Sequence, residues 1–146
     1  MTHDVLRYTA FATTPDGGNP AGIVLDASAL GDEDMLKIAA DLGYSESAFL
    51  TPGPDPADGR AYTLRYFSPK AEVPFCGHAT VATAVALAER HGTGDFLFHT
   101  PAGEVPVSVT GADGVLRATL TSVAPHVEDV AADDLAEALA ALDWPA

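Results

Sequence analysis

From Gly77 to Gly92 the sequence reads GHATVATAVALAERHG, and residues 79–88 carry no charge at all. A helix that is small and apolar on every side has no solvent face, so the rest of the chain must enclose it on all sides. Gly92 is placed to end it. The flanking sequence is rich in strand signals, so the expected enclosure is a curled sheet, barrel-like, with one apolar helix at its centre.

Strand signals fall at residues 5–11, 22–26, 48–50, 62–67, 96–100, 105–109 and 116–120, most of them rich in β-branched or aromatic residues. Pro106 predicts that its strand is an edge or starts irregularly. Residues 14–20, TPDGGNP, read as a turn that no strand interior would tolerate, and residues 51–59, TPGPDPADG, as a loop. A first helix is expected over residues 35–42, with capping acids Asp32, Glu33 and Asp34 before it and Gly43 after it. A last one is expected over residues 133–142, with Leu135, Leu139 and Leu142 on one face. Strands and helices mix without regular βαβ alternation, which predicts the α+β class and a mixed or antiparallel sheet.

A chain of 146 residues has room for one domain, expected over residues 1–146. With 47% hydrophobic and 19% charged residues it is globular rather than disordered. No apolar run approaches the roughly 18 residues that span a bilayer. The first residues lack a basic stretch followed by an apolar one, so no signal peptide is expected. One cysteine makes no internal disulfide and is too few for a Cys-rich zinc cluster, so the expectation is no metal and a reducing, cytoplasmic setting. The balance of 21 acids against 7 bases, net −14, would repel a phosphate backbone or an anionic membrane. No nucleic-acid or membrane partner is expected.

Three segments are costly for packing alone. In GGNPAG, residues 17–22, adjacent glycines including Gly18 let backbone N–H groups approach a ligand, unless they simply make a tight turn. In GYSESAF, residues 43–49, Glu46 sits between a helix stop and an apolar strand. Enclosure there would raise its pKa toward neutrality, as a proton carrier needs; a solvated or ion-paired glutamate is the plainer reading. PFCGHAT, residues 74–80, stands at the mouth of the enclosed helix. Helix N-terminal N–H groups bind an anion or a developing enolate, Gly77 gives close approach, and His78 adds a titratable group. Cys76 beside that terminus is expected to have a depressed thiol pKa and to serve as a base, or else to be a small buried residue with His78 as a cap.

GNPAG, GYSESAF and RYFSPKAEVPFCGHAT, in that order and spacing, resemble the N-terminal half of the phenazine-biosynthesis PhzF-like proteins, within the diaminopimelate-epimerase-like fold shared with proline racemases. YTAF at residues 8–11, FSP at 67–69 and the Ala102-Gly103 turn extend the resemblance over nearly the whole chain. It implies one diaminopimelate-epimerase-like half acting as a cofactor-independent isomerase, with no cofactor and a small carboxylic acid as substrate. Glu46 matches the glutamate that shuttles a proton between substrate carbons. Gly77 and His78 match the pair that holds the substrate beside it, and Asn19, Gly18, Ser45 and Gly103 fall in segments lining the pocket. Cys76 matches the place where racemases carry one of two catalytic thiols; a two-thiol reaction would need a second cysteine, which this sequence lacks.

The family usually has two similar halves with the active site between them, and the second half's aspartate has no counterpart in this sequence. The expectation is therefore a homodimer, or pairing with a complementary second-half subunit. A non-catalytic small-molecule binder and one subunit of a split enzyme are the alternatives.

Overall fold

The computed structural model describes residues 4–55 and 57–145. The chain runs β1 (Leu6–Ala10), β2 (Asn19–Val24), α1 (Asp32–Leu42), β3 (Ser47–Pro52), β4 (Ala61–Phe67), β5 (Glu72–Val73), α2 (Gly77–His91), β6 (Gly94–Thr100), β7 (Gly103–Ala112), β8 (Val115–Leu120) and α3 (Ala132–Ala141). The eight strands form one mixed sheet in the order β1-β2-β3-β4-β6-β7-β8, with β5 paired to β4. Among the described residues, only β2–β3 and β4–β6 are parallel. The sheet curls around α2, which packs on β1, β2, β3, β7 and β8. Among the described residues, no helix is long and apolar enough to cross a membrane.

Alternation decides which side chains meet α2. In β7, Val105, Val107 and Val109 are buried while Pro106, Ser108 and Thr110 face out. In β3 the period splits two cores: Ala48 and Leu50 join the cluster around α2, and Phe49 joins Met35 and Ala39 of α1 on the other face. Leu50, Leu64 and Leu87 are essentially inaccessible, and each such burial stabilises the fold by about 1.5–3 kcal/mol. Alanines at 79, 82, 84, 86 and 88 let the strands approach the helix closely.

Local chemistry fixes the helix ends. Asp34 accepts a hydrogen bond from the Gly31 N–H at 3.0 Å, and Gly43 closes α1 in the left-handed conformation at φ 70°. Arg60 donates to the carbonyl oxygens of His91, Gly92 and Thr93 at 3.0–3.1 Å and lies over the Phe96 ring. A cation is thus held at the negative end of α2.

Three expectations need correction. The enclosure of α2 is incomplete: β1 and β8 are the two sheet edges, and Val81 and Val85 line a groove of about 560 Å³ between them with Tyr8, Phe11 and Leu116. Asn19 and Pro20 belong to a strand rather than to the turn. Pro20 is tolerated because the β2–β3 ladder begins only at Gly22, leaving that part of β2 paired on one side. Strand β7 is internal, and Pro106 fits for the same reason, since its ladder to β8 starts at Val107.

Candidate active site

Parallel pairing of β2 with β3 brings the starts of both strands to one end of the sheet. Glu46 immediately precedes β3, whose first residue, Ser47, pairs with Phe67 at the end of β4. From there β5 leads directly into Cys76, the N-cap of α2. The segments holding Asn19, Ser45, Glu46 and Cys76 through His78 therefore converge at the barrel end where α2 begins.

At that end Glu46, Cys76 and His78 meet. The Cys76 thiol points to Glu46 Oε2 at 3.6 Å, and its Sγ lies 3.1 Å from His78 Nδ1. His78 Nε2 is 3.7 Å from the same Glu46 oxygen. His78 is 8% exposed and its Nε2 has no hydrogen-bond partner, whereas the Glu46 side chain is 26% exposed. Glu46 is thus the rim of the cluster and His78 its floor. A Cβ added at Gly77 would meet nothing closer than Phe75 Cε1 at 4.0 Å, so the space beside the first turn of α2 is open. The Gly77 N–H has no acceptor within the helix and is available to an anion there.

The cap is held from beneath. Thr80 donates its hydroxyl and its N–H to the Cys76 carbonyl at 2.7 and 3.1 Å, and its Oγ1 meets the Tyr66 hydroxyl at 2.6 Å. Tyr66 stacks edge-on against Phe75. These positioning residues escaped the sequence reading, because Tyr66 looked like any alternating strand aromatic. The only available signal was the helical spacing from Cys76 to Thr80.

Cys76 departs from expectation. Burial pushes its thiol up to about 11, and the Glu46 carboxylate adds to this; the N–H groups of Ala79 and His78 pull the other way and lose. The thiol is therefore a proton-bearing donor near neutral pH, not a ready base. His78 does not cap the helix with its side chain.

The remaining expected residues sit farther out. Asn19 is half-buried at the start of β2, paired with Ala10. Gly18 is exposed at φ 70°, and a Cβ there would fall 2.1 Å from the Ala10 carbonyl, so backbone geometry alone demands glycine. Ser45 is exposed and flanks Glu46. Gly103 opens β7 opposite Thr100, and the parallel register of β4 and β6, Thr63 beside His99, sets this hairpin level with the last residues of β4. Of Arg65 and Lys70, the cations nearest in sequence to residues 74–80, Arg65 is committed to Glu72 and Asp32. The groove between β1 and β8 shares no lining residue with the cluster.

Residues 8–143 match the family model for PhzC-PhzF, described as phenazine biosynthesis-like protein. The chain belongs to this family. It is similar to the uncharacterised isomerase YfhB of Bacillus subtilis, 38% identical over 96% of this chain and 48% of that protein. It is also similar to trans-2,3-dihydro-3-hydroxyanthranilate isomerase of Pseudomonas aeruginosa, 33% identical over 77% of this chain and 39% of the relative. Among solved structures, a predicted epimerase from Pseudomonas aeruginosa superimposes with TM-score 0.72 at 31% identity, covering 82% of this chain and 42% of the other. The chain spans less than half the length of these relatives, and the PhzF-type α+β fold is the one expected for an epimerase-like half.

Proposed function

We propose that this barrel end is one wall of an isomerase site, in which Glu46 moves a proton between two carbons of a small carboxylic acid. The observation that carries the reading is Glu46 Oε2 held against both the Cys76 thiol and the buried His78 imidazole at the N-terminus of α2. The Glu46 carboxylate takes a proton from an acidic C–H, and the electron pair left on carbon delocalises toward the acid's own conjugated system. The Gly77 N–H and His78 stabilise the negative charge that develops. The protonated Glu46 then returns the proton at a different carbon, so the sequence balances without an oxidant, a metal or an organic cofactor. Cys76 keeps its proton and steers the Glu46 carboxylate; it does not itself abstract.

Asn19, Ser45 and Gly103 form the rim in this reading, with Gly18 setting the turn that presents Asn19. The substrate named for the Pseudomonas aeruginosa isomerase, a dihydro-hydroxyanthranilate, is the first compound to try. Incubation with it in D2O should move deuterium into the recovered acid, and Glu46→Gln should abolish this.

The reading includes a second wall. Helix α3 has no buried residue; Leu135 within it and Leu142 and Trp144 just after it are exposed. Apolar surface of this kind calls for a covering module. A second copy of this chain, or a complementary second-half module, would supply it and close the cleft over Glu46. The open face also supports a binding site without turnover. An acid that binds tightly, survives Glu46→Gln and gains no deuterium would select that reading instead.

A further inference from the structure

We infer that Cys76 is a positioning residue acting through His78: its S–H donates to Nδ1 of the ring and so fixes the ring proton on Nε2, facing Glu46. Only the effect on turnover rests on the isomerase reading. Cys76 Sγ lies 3.1 Å from His78 Nδ1 and 3.6 Å from Glu46 Oε2, and one S–H serves only one of them. The tautomer of a neutral imidazole is set by the hydrogen bond its other nitrogen makes. Two arrangements of protons therefore compete across the same three side chains.

In the first, Nδ1–H donates to Sγ, the thiol donates to the carboxylate, and Nε2 is left as a bare lone pair. In the second, the thiol donates to Nδ1 and the Nε2–H points toward the carboxylate 3.7 Å away. Three observations favour the second. His78 is 8% exposed and its Nε2 has no hydrogen-bond partner, so a lone pair there would be buried against a carboxylate of like sign. An N–H is a stronger donor than an S–H, and the second arrangement turns it toward the carboxylate charge. The N–H groups of Ala79 and His78 already face Sγ, which leaves little of a weak acceptor for a further donor. Burial and Glu46 together keep the thiol protonated near neutral pH, so the S–H is there to give.

At 3.7 Å the Glu46 oxygen is too far to saturate the Nε2–H. The N–H is then a buried donor held ready for a substrate oxygen that arrives in the open space beside Gly77. So held, His78 stabilises developing negative charge and has no lone pair at Nε2 to abstract a proton. Glu46 is left as the base of this wall.

Raman spectroscopy and nitrogen NMR of the whole chain test this without a substrate. Cys76 is the only cysteine in the sequence, so its S–H stretching band is a single signal. The band should lie below the free-thiol position, move up in His78→Phe and stay in place in Glu46→Gln. The His78 ring signals should show a protonated Nε2 and a bare, hydrogen-bonded Nδ1 at a pH of about 8.5, above the ordinary imidazole value of about 6.5. Cys76→Ala should move the Nδ1 signal toward that of a free ring, and Cys76→Ser should restore most of the difference. With substrate, Cys76→Ala should lower kcat roughly tenfold at nearly constant KM, and Cys76→Ser should recover most of it. If the variants fold poorly, the nitrogen spectrum of the unaltered chain is sufficient. A proton on Nδ1, alone or together with one on Nε2, would overturn the inference, as would an S–H band that moves in Glu46→Gln and not in His78→Phe. The spectra involve no turnover, so the wrong tautomer leaves the proton-transfer reading standing. Deuterium exchange that survives Glu46→Gln would sink that reading and leave the tautomer untouched.

Discussion

Nε2 of His78 lies 3.7 Å from Oε2 of Glu46, and those two residues reach one another from different elements, His78 from the first turn of α2 and Glu46 from the approach to β3. The relationship depends on the β3–β4 register, on the short β5 passage into Cys76, and on Tyr66 and Thr80 holding that cap. Each of these supports can be tested separately.

The Cys76 thiol should report its burial. Alkylation by iodoacetamide is expected to climb steadily with pH up to about 11, where a free thiol would level off near 9. Linkage has the corresponding sign. The thiol pKa is raised in the folded state, so its contribution is complete below the unfolded value of 9.0 and is lost as pH rises through about 11. Urea melts from pH 8 to 11 should show roughly 2 kcal/mol more loss in the native chain than in Cys76→Ala.

Two glycines should behave oppositely. Gly77→Ala places its methyl in open space at a helix start, so it should cost no stability and add up to about 1 kcal/mol. Any substrate that fits against Gly77 should then bind more weakly, raising KM. Gly18→Ala meets the Ala10 carbonyl and should destabilise by roughly 1–3 kcal/mol in a urea melt.

Tyr66→Phe removes the hydroxyl that meets Thr80 at 2.6 Å in the core. The expected cost is about 0.5–1.5 kcal/mol by thermal or urea unfolding. Thr80 keeps its bond to the Cys76 carbonyl, so the fold should survive while the cap loosens. Faster alkylation of Cys76 in this variant would register that loosening.

Helix α3 buries none of its residues, so removing residues 130–146 should change the stability of the barrel by no more than about 0.5 kcal/mol. Sedimentation of the whole chain tests the covering module. A species near twice the 15.0 kDa chain mass, reduced to one chain by the deletion, is the expected result for a self-paired cleft.

Much of this architecture was legible because its signals are local. The uncharged run in α2 and Gly92 after it marked the central helix at its observed bounds, and valines at 105, 107 and 109 marked the inward face of β7. Prolines misled where local rules met pairing: Pro20 lies in a strand rather than a turn, and Pro106 in an internal strand rather than an edge, because a neighbouring ladder stops short of each. The opening between β1 and β8 was not legible, since nothing in either strand states what its far edge meets. At the site, residue types pointed to Glu46, Cys76 and His78. The competition between burial and helix N–H groups that sets the Cys76 thiol was not readable, because it depends on distances across the fold. Tyr66 and Thr80 were missed for the same reason.

The most direct measurement follows deuterium from D2O into small carboxylic acids by mass spectrometry, comparing the native chain with Glu46→Gln at matched folding. General acid–base catalysis contributes about 10²–10⁴-fold, so the variant should lose at least about a hundredfold of the exchange rate with an unchanged melting curve. A Glu46→Gln chain that washes in deuterium as fast as the native one would contradict the account.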